Sequence, residues 1–278
     1  MSILLFTAFI FIGSFGAGFL GSLTGLGGGI VIIPLLTVVF GVDIRYAIGA
    51  SLVSVIATSS GAAAAYVKEG FSNIRIGMFL EIATTVGALV GAFLALRLST
   101  PVIALIFGLV LIHSAYVSSR PRDESSGQVK PDKLATRLRM NGTYPARGGL
   151  VSYNVTSVPS GFGLMFVAGG ISGLLGIGSG AVKVLAMDQA MRLPFKVSTA
   201  TSNFMIGVTA AASAGIYLRQ GYIDPGLTMP VMLGVLLGSS IGAKHLFNAE
   251  TKKLRAIFGV VLFVLALEMI YTGLKGLL

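Results

Sequence analysis

The sequence predicts an all-α polytopic membrane protein of two homologous halves, about five segments in each, set as an inverted repeat. Its composition, the length of its apolar runs and a repeat at 151 residues carry that expectation. Charged residues make up 11% of the chain and hydrophobic ones 54%, with mean hydropathy +0.90. A water-soluble domain carries about 25% charged residues. The 38 glycines would weaken soluble helices, but in a membrane bundle they let helices approach closely. The net charge of +10 lies at the ends of apolar runs, as topology signals do, and does not read as a nucleic-acid surface. With no cysteine and only His113 and His245, neither a disulfide framework nor a metal or cofactor is expected.

In order along the chain, apolar segments run over 3–22, 29–40, 47–67, 76–96 and 101–118, then 161–175, 180–191, 197–218, 227–246 and 254–274. Most approach the roughly 20 residues a helix needs to cross a bilayer. Met1–Phe6 has no basic residue, so the first run reads as a membrane helix and not as a cleaved signal peptide. The second segment of each set rises only about 18 Å, which requires a short, tilted or broken helix. Residues 1–118 and 159–278 are thus two membrane repeats joined by a basic loop over 119–158. Within that loop, Leu150–Val155 alternates after a Gly-Gly pair, the pattern of a small β-hairpin. Tyr46, Tyr66, Tyr116, Tyr217, Tyr222 and Tyr271 fall near segment ends, where interfacial anchors belong.

Sliding the chain by 151 residues, with no gap, places Gly18 on Gly169, Gly25 on Gly176, Gly27 on Gly178 and Gly29 on Gly180. The same shift places Ser51 on Ser202, Gly70 on Gly221, Gly87 on Gly238, Gly91 on Gly242 and Gly108 on Gly259. So many matches in one register mark an internal duplication. If the short second segments cross, each half has five crossings and the second half is inverted. Only Arg45, Arg97, Arg219 and Lys275 then lie opposite the central loop, while every other basic residue except Lys183 lies on the loop's side. The positive-inside rule favours that arrangement and puts the loop in the cytoplasm of a multi-pass cell-membrane protein.

Chemistry is expected at the two glycine-rich breaks, Gly25, Gly27, Gly28 and Gly29 in one half and Gly176, Gly178, Ser179 and Gly180 in the other. Clustered glycines interrupt a membrane helix, and the freed backbone groups need protein, water or ligand partners. The helix that restarts after a break points its N–H groups and positive dipole end at that place, which suits an anion. Lys183 lies one turn into the second short helix, and an intramembrane lysine normally faces the protein interior or a wet cavity. Its alternative roles are a structural ion pair with Asp188 or snorkelling to the interface. Ser51, Thr201, Ser202 and Asn203 on the following helices offer hydroxyl and amide donors to an oxyanion, or else bond between helices. Asp188 is the best acidic candidate for coupling a proton or cation, followed by Glu81; Glu81 and Glu268 lie within apolar segments, where the commoner role is a structural hydrogen bond. Gly87–Gly91 and Gly238–Gly242 read as packing faces without chemistry.

The breaks, the helix starts Gly49-Ala50-Ser51-Leu52 and Ala200-Thr201-Ser202-Asn203, and the repeated segments resemble the sulfite exporter TauE/SafE family. The family also takes in toluene-sulfonate-uptake-like permeases. The similarity spans nearly the whole chain except the polar insert. It implies transport of small sulfur-containing anions such as sulfite, sulfonates or sulfoacetate across the cytoplasmic membrane. Ser179, where a third glycine is commoner, and Lys183 depart from the usual pattern.

The expected function is therefore a secondary transporter working by alternating access, with a small anion and the lipid bilayer as partners and no nucleic acid. A passive anion channel shares these features, and a membrane sensor or scaffold using the basic loop is a third class. A homodimer is compatible with the sequence. No nucleophile–base pair, paired carboxylates or metal cluster stands out, so an enzyme is not expected. Nor is there a Walker-type motif for ATP.

Overall fold

The apolar runs form eleven α-helices and one two-stranded sheet among the described residues of a computed structural model. These residues are 3–24, 29–68, 70–119, 132–146, 149–245 and 251–277. In the first half come α1 (Ile3–Thr24), α2 (Gly29–Pro34), α3 (Ile44–Lys68), α4 (Ile74–Arg97) and α5 (Thr100–Ser119). The insert holds α6 (Lys133–Arg137), β1 (Gly142–Ala146) and β2 (Gly149–Tyr153). The second half has α7 (Val158–Leu175), α8 (Gly180–Leu185), α9 (Phe195–Arg219), α10 (Pro225–His245) and α11 (Thr251–Lys275). The 151-residue shift carries α2 onto α8 and α3 onto α9 at both ends. It also carries the π-helical turn Leu35–Val39 onto Ala186–Ala190. Pro34 precedes the first π-helical turn but Leu185 precedes the second, so a missing proline N–H is not what makes the turn.

In each half the chain doubles back after its first helix. The Phe40 ring, just past the first π-helical turn, lies 5.9 Å from Phe6 near the start of α1. The repeat mate of Phe40 is Met191, whose carbonyl accepts from Thr156 N (3.1 Å), just before α7 begins.

Equivalent helices then pack head to tail. At the start of α3, Tyr46 stacks edge-on at 5.4 Å against Tyr222, just past the end of α9. At the start of α9, Thr201 Oγ1 accepts from the N–H of Asn73 (3.0 Å), which stands between α3 and α4. Helices α5 and α11 also run oppositely, since Gly108 faces Ala266 and Ile270 while Gly273 faces Pro101 and Leu105. By contrast α4 and α7 run in the same direction: Gly87 abuts Phe166 and Gly170, and Gly91 abuts Gly170 further along. The corresponding pair is α1 and α10, where Gly234 abuts Phe11 and Gly238 abuts Phe15 and Phe19.

Arg45 donates to the Leu98 carbonyl (2.8 Å) and stands over the Tyr222 ring. Together with the contact of Gly276 on Pro101, this gathers Arg45, Arg97, Arg219 and Lys275 at one end of the bundle.

Helix α4 displays the solvent logic of a bilayer. Met78, Ile82, Val86, Leu89, Val90 and Phe93 are exposed along one stripe, while the small residues Gly77, Ala83, Gly87, Ala88 and Gly91 are buried opposite. Ile76 and Leu80 are buried near the helix start, but from Ala83 onward large apolar side chains face outward and small ones inward, the reverse of a soluble helix and the expected arrangement where helices must meet without a hydrophobic drive. Over their best 18-residue windows α4 and α7 have mean hydropathy 2.0 and 1.6.

Tyr217 corrects the expectation of an interfacial anchor. It is fully buried, and its hydroxyl donates to the carbonyls of Gly173 (3.3 Å) and Leu174 (3.4 Å) at the end of α7.

The insert is tied to the bundle by side-chain bonds. Strands β1 and β2 pair antiparallel, Gly142 opposite Tyr153 and Ala146 opposite Gly149. Asn73 caps α4 by accepting from Ile76 N (3.1 Å) and donates to the Met140 carbonyl (2.9 Å) and the Tyr153 hydroxyl (2.8 Å). Burial holds the Tyr153 phenol above its usual range, with the Asn73 bond opposing. A cleft between this insert and the start of α4 is lined by Ser72, Arg75, Arg139, Asn141 and Tyr153.

Candidate functional site

The second break is built by left-handed backbone. Gly176 (φ +67°) ends α7, Gly178 (φ +69°) follows, and Ser179 takes φ +41° before α8 starts at Gly180. Glycine adopts this region freely and serine does so at some cost. Ser179 is held there by its own side chain, which donates to the Ala168 carbonyl in mid-α7 (2.6 Å). That bond uses the hydroxyl that would otherwise cap α8, so no side chain caps the helix start.

Helix α3 of the first half closes over this break. Ser51 Oγ donates to the Gly176 carbonyl (2.9 Å) and lies 3.4 Å from the Gly29 carbonyl at the start of α2. A Cβ on Gly176 would collide with Ile48, and one on Gly178 would touch Val55 and Ile206. The restart of α2 and the break before α8 therefore meet between α3 and α9. The repeat mate Ser202 makes the corresponding bond in its own half, to the Gly180 carbonyl at 3.3 Å. Ser51 and Ser202 are both fully buried. Gly25, Gly27 and Gly28 lie outside the described residues.

Other expected ligands lie elsewhere or turn inward. Thr201 is buried, but its oxygen anchors the Asn73 backbone. Asn203 is half-buried and donates to the Thr199 carbonyl of its own helix (3.1 Å).

Lys183 is completely buried. Its Nζ donates to Thr209 Oγ1 of α9 at 2.5 Å. Thr209 in turn stands 2.7 Å from Glu81 Oε1 of α4, to which its hydroxyl donates. Thr85 adds a second donor to the same oxygen at 3.1 Å. The other carboxylate oxygen, Oε2, is buried and has no hydrogen-bond partner among the described residues. The charge acting on Lys183 is that of Glu81, while Asp188 sits half-buried on the π-helical turn beyond.

Three helices from two halves thus share one buried polar chain, Lys183–Thr209–Glu81. Sequence reasoning picked out both ends but missed Thr209. Its signal was its place on the buried face of α9, which Ser202, Thr209 and Ser213 share at helical spacing.

The sulfite exporter TauE/SafE family profile matches residues 10–269. A probable membrane transporter protein of Bacillus subtilis, YunE, is 28% identical over 265 residues, covering 93% of this chain and 95% of that protein. A probable membrane transporter protein of Methanocaldococcus jannaschii, MJ0441, is 25% identical over 282 residues, covering 96% of each. No solved structure matches.

Proposed function

This chain belongs to the sulfite exporter TauE/SafE family, and from that premise we propose that it is a secondary transporter carrying small sulfur-containing anions across the cell membrane. The halves form an inverted repeat and work by alternating access. Two equivalent pairs of helices packed head to tail, α3 with α9 and α5 with α11, support inversion, because a parallel repeat would set each pair side by side in one direction. So does the return of each chain end, at Phe40 and Met191, to the level where its half began. Five passes per half then put the insert and the basic residues beside it on the cytoplasmic side.

The observation that carries the reading is the meeting of the two halves at their breaks, where Ser51 of one half bonds Gly176 of the other. Interrupted helices that meet at the repeat interface are where such transporters hold substrate. The anion lies against Gly29, Gly176, Gly178 and Gly180, with Ser51 and Ser202 exchanging a carbonyl for an anion oxygen as they bind it and Lys183 supplying charge. Thr201 and Asn203 hold α9 and its neighbour in place and are outside the site.

The test is uptake of radiolabelled sulfite into proteoliposomes, competed by unlabelled sulfonates, sulfoacetate and carboxylates. Saturable flux that unlabelled substrate on the opposite side accelerates is expected, because only a carrier that reorients with substrate bound gives counterflow. Flux that rises without saturating identifies a channel. No flux from protein shown to be folded overturns the reading.

A further inference from the structure

Charge balance at the buried chain Lys183–Thr209–Glu81 bears on what travels with the anion, and it rests on the transporter reading above. We propose that Glu81 is a proton-binding site that couples transport, so that one proton moves with each singly charged anion and the cycle is electroneutral.

Without substrate the site holds one ammonium and one carboxylate, both buried, bridged by one threonine hydroxyl. Its net charge is zero. An anion arriving next to Lys183 adds a negative charge, and Lys183 and Glu81 are the buried charged residues among those described; burying an uncompensated charge is costly. A proton taken onto Glu81 Oε2, the oxygen without a hydrogen-bond partner among the described residues, removes that cost. The carboxyl becomes neutral, Thr209 no longer spends its hydroxyl on a charged acceptor, and the Lys183 ammonium is free to face the anion. The loaded site again holds one positive and one negative charge. A dianion would leave an excess negative charge after one proton, so this site selects monoanions such as sulfonates and hydrogen sulfite.

Among the described residues, the charge that acts on Lys183 is that of Glu81. Of the elements packed on α4, helix α7 carries no titratable residue. Helix α9 carries Lys196 and Arg219 only at its two ends, both exposed. Asp188 lies on the π-helical turn beyond Lys183, and Arg75 and Arg97 lie at the exposed ends of α4 itself. The repeat supplies no second site, since Met232 stands where Glu81 would be and Ile32 where Lys183 would be. One titratable pair means one proton. Because Glu81 is on α4 while Lys183 and Thr209 are on α8 and α9, proton loading also changes a bond between the two halves, the one that must rearrange when they move.

The experiment uses purified full-length protein in proteoliposomes with an alkyl sulfonate such as methanesulfonate. This strong-acid anion stays singly charged at every working pH and cannot leak across as a neutral acid. A pH gradient is expected to drive accumulation about tenfold per pH unit, and a potassium-diffusion potential alone should drive none. Glu81→Gln should keep sulfonate counterflow and lose pH-driven accumulation. Accumulation driven by potential, or a Glu81→Gln protein that still follows the pH gradient, overturns the coupling and leaves the transporter reading standing. Absence of any saturable sulfonate or sulfite flux in the wild type overturns both. If Glu81→Gln does not fold, wild-type infrared spectra decide instead: sulfonate should induce the carbonyl band of a protonated carboxylic acid at neutral pH, and its absence refutes the proposal.

Discussion

Thr58 and Thr209 occupy the same place in the two repeats and have different partners. Thr58 Oγ1 turns back to its own helix, donating to the Ser54 carbonyl at 3.0 Å. Thr209 Oγ1 lies at the same 3.0 Å from the Met205 carbonyl, but its one proton goes to the nearer Glu81 carboxylate while its oxygen accepts from Lys183. At the corresponding positions around Thr58 stand Ile32, fully buried, and Met232. The duplication has therefore kept the helices, the breaks and the hydroxyl, and charge has been placed on one side only. In the proposed cycle, the repeated scaffold provides the two halves that move against each other. The asymmetric charge pair would give that proposed movement its chemistry, and a single pair incurs the desolvation of buried ions only once.

The sharpest break in this comparison comes from separating the two charges. Lys183→Met alone strands Glu81 in the interior and should cost about 3–5 kcal/mol, seen as a large fall in the thermal unfolding midpoint in detergent by circular dichroism. Glu81→Met alone should cost a similar amount. The double variant, with both ends replaced by apolar groups of similar length, should recover most of the loss, because a well-packed apolar substitute for a buried pair is often neutral. If the double variant is as unstable as the sum of the singles, the two charges do not compensate each other, and the asymmetry is not that of a balanced ion pair. Ile32→Val on the uncharged side provides the scale, at about 0.5–1.5 kcal/mol.

Next in size is a test of the part that is symmetric. Gly87 on α4 and Gly238 on α10 are repeat mates, and a Cβ on either would overlap a carbonyl of its partner helix, Phe166 in one case and Phe15 in the other. Alanine at each should cost about 1–3 kcal/mol, and the two costs should be alike. Gly163 of α7 has nothing within 4 Å of its would-be Cβ. Alanine there should be neutral or stabilising by up to roughly 1 kcal/mol, since it only restricts the unfolded chain. Unequal costs at Gly87 and Gly238 would mean that α4–α7 and α1–α10 are not equivalent contacts.

Much of this was legible in the sequence because glycine spacing survives duplication where other side chains drift. The ungapped 151-residue register located both short helices, whose observed spans agree at each end. Clustered glycines mark a break whatever surrounds them. The site was less legible because its geometry depends on which residues meet across helices. Lys183 and Glu81 are 102 positions apart, and nothing in their local patterns says that one threonine from a third helix lies between them. Ser51 was picked out as a donor for an anion, but the carbonyl it bonds belongs to the other half's break. A position near a segment end made Tyr217 look like an anchor, whereas the close approach of α7 covers it completely.

The smallest contrast concerns the two serines, and it tests whether the halves are joined at their breaks. Ser51 makes a 2.9 Å bond from one half to the other, while its mate Ser202 makes a 3.3 Å bond inside its own half. Ser51→Ala leaves the buried Gly176 carbonyl without that donor and should cost about 1–3 kcal/mol, whereas Ser202→Ala, losing a longer and weaker bond, should cost about 0.5–1.5 kcal/mol. Hydrogen exchange gives the more specific readout. Because the bonded carbonyl sits where α7 ends, Ser51→Ala should speed exchange of the backbone amides over 176–183, in the half that was not mutated. Ser202→Ala should act on the start of α8 alone. If Ser51→Ala loosens only its own half around Gly29, the two breaks are neighbours without being coupled, and the proposed movement of the halves would have to be transmitted through the α3–α9 contact instead.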